Sequence, residues 1–171
     1  MKKLYLLRHA KAEPGSKVVG DSDRTLSARG REACAAMGVY MKKKSYAPAL
    51  VLCSPSARTR QTLELVAQAA GVKPKHTFED MLYLATAEEI LRVAQNVEGE
   101  PDSLMIVGHN PGMHHVALLL AAPGRTQSRL ELELKYPTGA LAVLEMKCAC
   151  WRDLGVGKGT LLDFVTPESV E

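Results

Sequence analysis

Short runs of consecutive apolar residues alternate along the chain with amphipathic segments. The runs at 4–7, 50–53 and 104–107 are each four residues long, which is typical of strands buried on both faces of a sheet. The segment that begins at Ser27 repeats apolar or small residues at helical spacing, and Ser27 can cap that helix. Strands that alternate with helices predict an α/β fold, in which a mainly parallel sheet has helices on both faces.

Capping residues delimit three further helices. We expect a helix over residues 55–70, with Ser54 as its N-cap and Gly71 at the position just past its end. A second helix begins after Thr86, which opens a capping box, and a short apolar helix is predicted over residues 111–121.

The remaining strands are predicted from shorter patterns. Residues 140–146 and 160–165 are apolar enough for strands, and the second is expected at the edge of the sheet. Residues 72–77 are predicted as a short strand. Residues 130–135 alternate strictly between leucine and a charged residue, which predicts an exposed strand.

Arginine and histidine residues follow the three buried strands. Arg8 and His9 end the first strand, Arg58 lies about one turn into the helix after the second, and His109 follows the third. Ligands of open α/β sheets bind at the carboxyl ends of the strands, so these side chains should meet at one edge. Converging arginines favour a dianion such as phosphate, and the histidines add a nucleophile and a second donor.

Several motifs in this arrangement resemble those of a known family. The Arg-His-Ala sequence at 8–10 is similar to the Arg-His-Gly signature of the histidine phosphatase superfamily. More narrowly, the chain resembles the SixA-type phosphohistidine phosphatases, and the resemblance covers residues 4–146. The other motifs that carry it lie, in the family's order, at residues 21–30, 54–62, 82–85, 108–112 and 136–142.

The resemblance implies a phosphoglycerate mutase-like fold, a three-layer α/β/α sandwich, and a role for each site residue. His9 would attack phosphorus as a neutral ring and form a phosphohistidine intermediate, without a metal or other cofactor. Arg8 and Arg58 would clamp the phosphoryl oxygens, and a protonated His109 would donate to the transition state. Lys11 begins the polar loop after the nucleophile strand, and we expect it to contact substrate.

The general acid is the least defined part of the predicted site. Many histidine phosphatases carry a carboxylic acid after the third strand, but residues 81–84 contain none, and Glu79 and Asp80 lie just before them. Asp21, in a segment that resembles the SixA pattern, is our first candidate for the acid, and Asp23 is the second.

A site without a clearly placed general acid favours a substrate whose leaving group needs little protonation. An imidazole leaves more easily than an alkoxide, so we expect the substrate to be phosphohistidine on a protein. The alternatives are a small-molecule phosphomonoesterase, a phosphoglycerate mutase-like transferase, and a non-catalytic phosphate-binding module. A pure binder has no need of a histidine nucleophile beside two arginines, and the transferase is disfavoured because the chain lacks substrate-clamping insertions.

Composition limits the remaining possibilities. The 171 residues, 46% of them hydrophobic, predict one domain over residues 1–171. The net charge of +3 suits an anionic substrate, and no motif indicates binding to nucleic acid. The apolar run at 4–7 is too short for a signal-peptide core, and no run has the length of a membrane span, so we expect a cytoplasmic protein without membrane contact.

The cysteines and the other histidines receive no catalytic role. In a reducing compartment the cysteines stay reduced, and Cys34 and Cys53 lie on apolar faces as packing residues. Cys148 and Cys150 lack a partner pair for a metal site, and their role stays open. The adjacent His114 and His115 point in different directions on a helix, so they are not expected to bind a metal.

Overall fold

A sheet of six strands forms the middle layer of the computed structural model, which describes residues 1–171. The strand order across the sheet is β3-β2-β4-β1-β5-β6. Every strand runs in one direction except β5, which is antiparallel to both of its neighbours. The strands are β1 (Lys2–Arg8), β2 (Leu50–Cys53), β3 (Lys75–Phe78), β4 (Ser103–Gly108), β5 (Leu141–Met146) and β6 (Gly159–Val165).

Helices cover both faces of this sheet. They are α1 (Ala28–Lys43), α2 (Ala57–Ala70), α3 (Ala87–Gln95), α4 (Gly112–Leu120), α5 (Gln127–Leu134) and α6 (Pro167–Val170). Side chains of β1 alternate between the two cores: Tyr5 and Leu7 pack with α1 and α2, whereas Leu4 and Leu6 pack with α3, α4 and α5. The predicted three-layer α/β/α sandwich is therefore confirmed. None of the helices combines the length and apolar character needed to cross a membrane.

Local capping explains where several helices begin and end. The Ser27 hydroxyl accepts a hydrogen bond from the Gly30 amide at 3.1 Å and starts α1. Gly71, with φ of +72°, ends α2 in the left-handed conformation that glycine adopts without strain. Thr86 and Glu89 form the predicted capping box at the start of α3.

The predicted strand over residues 130–135 is wrong, because this segment belongs to α5. The Thr126 hydroxyl caps the helix by accepting from the Arg129 amide at 3.2 Å, and Arg129 pairs with Glu133 at 3.1 Å, one turn away. Leucine and glutamate are good helix formers, and six alternating residues do not outweigh that preference. Only Leu132 is buried, while Leu134 is 81% exposed.

The carboxyl ends of three neighbouring strands lie level with one another. In the register of the sheet, Arg8 of β1 faces Gly108 of β4, and Cys53 of β2 faces Val107 of β4. The residues that follow these strands therefore begin at the same edge, as the sequence predicts.

Candidate active site

The backbone of His9 is held by three segments that are distant in the sequence. The His9 amide donates to the Gly108 carbonyl at 3.1 Å, and the His9 carbonyl accepts from the Gly139 amide at 2.9 Å. The next amide, of Ala10, donates to the Thr62 hydroxyl at 3.0 Å. Gly139 has φ of +76°, so a residue with a side chain would be strained at this contact. These bonds fix the position of the histidine at the end of β1.

The ring of His9 presents a free nitrogen. Its Nδ1 lies 2.7 Å from the Ala10 carbonyl, which can only accept, so Nδ1 carries the proton and Nε2 keeps its lone pair. Burial first, and then the charges of Arg8 and Arg58, lower the pKa of His9 to about 4, although the bond to Ala10 opposes this shift. At neutral pH the ring is uncharged, as expected for a nucleophile.

The loop after β2 differs in detail from the prediction. Helix α2 begins at Ala57, two residues later than expected, and its N-cap is Ser56, whose hydroxyl accepts from the Thr59 amide. The predicted cap at Ser54 is wrong. The hydroxyl of Ser54 instead lies 2.7 Å from Nε2 of His109, because the Ser54 amide donates to the Val107 carbonyl at 3.0 Å and holds the residue against the end of β4. Ser54 is fully buried.

Arg58, in the first turn of α2, aims its guanidinium into the same edge of the sheet. The side chain is 3% exposed, and it donates to the carbonyl and the carboxylate of Asp21 at 2.7 and 3.0 Å and to His109 Nδ1 at 3.3 Å. Arg60, two residues later, points elsewhere: it is exposed, and its guanidinium lies 3.9 Å from the centre of the Phe78 ring. Arg58 therefore contacts the candidate site, whereas Arg60 packs on the exposed ring of Phe78.

His109 follows β4 and completes the cluster, with its ring centre 5.3 Å from that of His9. Its Nδ1 accepts from Arg58, which can only donate, so the ring proton lies on Nε2 and is donated to Ser54. The pKa of His109 is lowered to about 3. Burial is the largest cause, and the charges of neighbouring groups, including Arg58, contribute to the same value. Burial and the nearby guanidinium charges disfavour the imidazolium, so His109 is neutral in the free protein, and its protonation among the oxygens of a bound phosphoryl group stays a prediction.

The guanidinium of Arg8 is held by a backbone carbonyl that does not belong to the group of His9, Arg58 and His109. Its Nη1 donates at 2.9 Å to the carbonyl of Tyr136, which also accepts from the Asn110 side chain at 2.9 Å. The Nε atoms of both Arg8 and Arg58 are buried and have no partner within the protein. Buried guanidinium donors without a partner are costly, and an anion between the two arginines would satisfy them.

Comparison with known proteins finds similarity to one family in both sequence and fold. The model of the histidine phosphatase superfamily (branch 1) matches residues 4–82. A solved structure from Nakamurella multipartitia, assigned as a phosphohistidine phosphatase SixA, is 30% identical and has a TM-score of 0.82, and the match covers 97% of this chain and 96% of that one. A structure with the same assignment from Agrobacterium tumefaciens is also 30% identical, with a TM-score of 0.79, and covers 97% and 98%. An uncharacterised protein of Mycobacterium tuberculosis is 33% identical over 168 residues, which is 94% of this chain and 99% of the relative.

The chain belongs to the histidine phosphatase superfamily. Within it the protein is of the SixA type, and its activity is that of a phosphatase. The fold of this phosphatase thus agrees with the resemblance inferred from the motifs.

The phosphatase holds Asp21 as a carboxylate at the rim of the site. Asp21 accepts from Arg58 and Tyr83 through Oδ2 and from Arg24 through Oδ1 at 3.1 Å. These hydrogen bonds, that of Tyr83 first, hold the pKa of Asp21 well below its usual range. A carboxylate stabilised in this way is a poor general acid. Asp23, the second candidate, is exposed and makes no side-chain hydrogen bond.

The other acidic candidates lie outside the cluster. Glu79 accepts from the Thr77 hydroxyl at 3.2 Å on the edge of the sheet, and Asp80 is exposed in the short turn that follows. Neither carboxylate is hydrogen-bonded to Arg58 or His109. The acid role therefore stays a prediction for each of these residues.

Lys11 lies near the nucleophile in sequence but faces a neighbouring surface. Its side chain is exposed and lines a shallow depression of about 250 Å³ that also includes Arg29 and Lys135. Its carbonyl accepts from the Ser27 amide at 2.9 Å, and a Cβ on Gly30 would come within 2.1 Å of that carbonyl oxygen. The first turn of α1 thus packs tightly against this loop. A contact between Lys11 and substrate stays a prediction.

Two residues of the site were not assigned a functional role from the sequence. Ser54 contacts His109, and the Tyr83 ring packs edge-on against the His109 ring, with centres 5.5 Å apart at an angle of 88°. Both residues stand inside motifs that carry the family resemblance, and this was the available signal. A motif does not indicate which of its side chains turns inward.

Residues outside the site behave as packing groups. Cys34 and Cys53 are buried, and burial raises the pKa of Cys34 to about 11 and that of Cys53 to about 12, which confirms their expected structural role. His114 donates to the Leu132 carbonyl at 2.6 Å and joins α4 to α5. No group of three or more histidine, cysteine or acidic side chains is arranged to hold a metal ion.

Proposed function

We propose that this phosphatase hydrolyses phosphohistidine on a protein through a covalent phosphohistidine intermediate on His9. Arg8 and Arg58 bind the non-bridging oxygens of the phosphoryl group and neutralise its charge. His9 attacks phosphorus, and His109 donates a hydrogen bond once the anion is bound. Water then hydrolyses the intermediate and releases orthophosphate.

The state of His9 supports its role as nucleophile. Its Nε2 holds a lone pair because Nδ1 donates to the Ala10 carbonyl, and burial keeps the ring neutral. In phosphoryl transfer the protein contributes mainly positioning and electrostatic stabilisation, which requires a fixed nucleophile and fixed cations. The three backbone bonds around His9 and the anchored guanidinium of Arg8 meet that requirement.

The observation that carries the choice of substrate is the ionised carboxylate of Asp21. It is the carboxylate bonded to the phosphate-binding arginine, and three donors oppose its protonation. An alkoxide leaving group requires a proton from such a residue, whereas a protonated imidazole leaves as a neutral molecule. This favours a phosphoramidate over an alkyl phosphate. The SixA assignment of two 30% identical structures supports the same choice.

The experiment combines a trapping assay with a substrate panel. Wild-type protein is mixed with a small protein carrying radiolabelled phosphohistidine, quenched in alkali, and analysed for label, with serine phosphate and p-nitrophenyl phosphate as ester substrates. We expect alkali-stable, acid-labile label on His9, and a kcat/KM for phosphohistidine at least about 100-fold above that for serine phosphate, within the range that acid assistance contributes.

His9→Ala should abolish labelling and turnover, because no other group in the cluster replaces the nucleophile. The matched control is His76→Ala, which removes an exposed histidine of β3 and should leave both unchanged. Label on a serine or cysteine would overturn the mechanism. A higher kcat/KM for serine phosphate would overturn the choice of substrate and favour a small-molecule phosphomonoesterase.

A further inference from the structure

The carboxylate of Asp21 has one acceptor site left for a ligand. A carboxylate offers about four lone-pair sites, and Asp21 uses three of them for Arg24, Arg58 and Tyr83. Two of these bonds are to Oδ2, so the free capacity is on Oδ1, which accepts only from Arg24. The side chain is 46% exposed, so a molecule bound at Arg58 can reach it.

The same contacts fix where this carboxylate lies relative to the reacting group. Arg58 donates to Asp21 and His109 from a single nitrogen, Nη2, at 3.0 and 3.3 Å. Tyr83 links the two residues a second time, because its hydroxyl bonds to Asp21 while its ring packs on His109. Asp21 therefore lies next to the groups that bind the phosphoryl oxygens and is exposed enough for the rest of the substrate to reach it.

We propose that Asp21 determines specificity by accepting a hydrogen bond from the ring N–H of the phosphohistidine leaving group. The proposal rests on the proposed function and adds a role for Asp21 other than that of an acid. A phosphohistidine ring carries the phosphoryl group on one nitrogen and can carry a proton on the other. An acceptor-only carboxylate matches that N–H and offers nothing to the oxygen of a departing alcohol.

The chemistry of the first step explains the effect on rate. The lone pair of His9 Nε2 forms the new N–P bond as the P–N bond of the substrate breaks, and the electron pair of that bond goes to the leaving ring. If the far nitrogen is protonated, the ring departs as neutral imidazole, and if it is not, the ring departs as an anion. By binding the N–H, Asp21 favours the protonated substrate, and no proton is transferred from Asp21.

The test compares Asp21→Asn with a control variant, Asp23→Asn. Asp23 is a neighbouring exposed aspartate that makes no side-chain hydrogen bond. Each variant is assayed with a histidine-phosphorylated protein and with p-nitrophenyl phosphate, whose leaving group has no N–H. Asp21→Asn should lower kcat/KM for phosphohistidine by about 10- to 100-fold, the worth of one charge-assisted hydrogen bond. Its kcat/KM for p-nitrophenyl phosphate also reports the contact of Asp21 with Arg58 and should fall by a smaller factor, so the ratio of the two kcat/KM values should drop by about 10-fold or more, whereas Asp23→Asn should leave that ratio within about threefold of the wild type.

The pH profile separates this role from a merely structural one. Because Asp21 favours the protonated ring in the bound substrate, the alkaline limb of kcat for phosphohistidine should move to lower pH by about one unit in Asp21→Asn. The charged or titratable groups that face Asp21 are Arg24, Arg58, Tyr83 and His109, and the variant leaves all of them in place. Asp21→Glu keeps the charge and should retain the wild-type limb, which guards against a loss of folding in the asparagine variant.

Three results would overturn the proposal. Equal losses with both substrates would mean that Asp21 acts only by positioning Arg58, and a larger loss with the ester would make Asp21 a general acid. Unchanged kinetics with both would remove it from the reaction. A wild-type enzyme that prefers esters would instead refute the proposed function, so the two failures are distinguishable.

Discussion

The neutral state of His109 leads to a prediction about what an anion does to the site. In the free protein its Nδ1 accepts from Arg58, and this nitrogen cannot donate to a phosphoryl oxygen until it gains a proton. Binding of a tetrahedral dianion should therefore convert His109 to an imidazolium. The hydrogen bond from Arg58 to His109 Nδ1 should then be lost, because this nitrogen carries a proton. Tungstate is a suitable dianion because it does not itself titrate near neutral pH.

The size of the shift follows from the charges involved. Burial and the neighbouring cations place the pKa of His109 at about 3. One negative charge about 4 Å away stabilises the imidazolium by about 4 kcal/mol at an effective dielectric constant of about 20, which raises the pKa by about 3 units. Arg8 and Arg58 offset part of the dianion, so we count between one and two effective charges. The pKa of His109 in the complex should then lie between about 6 and about 9.

The measurement is a titration of the ring nitrogens by ¹⁵N nuclear magnetic resonance, with and without saturating tungstate. The exposed ring of His76 serves as an internal reference that tungstate should not move. Calorimetry in two buffers of different ionisation enthalpy should show proton uptake on binding. A His109 pKa that stays below about 5 in the complex would refute the electrostatic argument, since one charge alone accounts for a larger shift.

Two further predictions concern the arginine clamp and acid stability. Arg58→Ala should lower kcat/KM by about 100-fold or more through the loss of charge-assisted bonds, whereas Arg60→Ala should change it less than about threefold, and equal losses would contradict the assigned orientation of the two side chains. The depressed pKa values of His9 and His109 mean that these rings bind protons in the unfolded but not the folded chain, so stability is lost as pH falls below the ordinary histidine value. Each ring should contribute up to about 1.4 kcal/mol per pH unit below about pH 6.5, and urea unfolding of His109→Gln should show a shallower loss than the wild type.

The central part of the fold could be predicted because its physics is local. A strand buried on both faces needs an unbroken apolar run, and a polar residue directly after it marks the end of the strand. Leu4 to Leu7 followed by Arg8 and His9 is such a pattern, and the sheet confirms it. The capping residues Ser27 and Thr86 act within one turn, so their effect is also visible in the sequence.

The remaining features depend on contacts between distant residues. The charge state of His109 depends on burial and on Arg58, which is 51 residues away in the chain, and the ionisation of Asp21 depends on Tyr83, which is 62 residues away. Ser54 could cap a helix or bond to a histidine, and only the course of the neighbouring strand decides between these roles. Sequence spacing contains no information on such choices.

The long sequence separations within the site have a consequence for how the protein acquires activity during synthesis. Arg8 is anchored by the carbonyl of residue 136, which is 128 positions later, and the His9 carbonyl is held by the amide of Gly139. A ribosome-bound chain that has not yet exposed these residues has the nucleophile but no support for it. Turnover should therefore begin late and abruptly as the chain emerges, which would make phosphatase activity a direct report of completed folding.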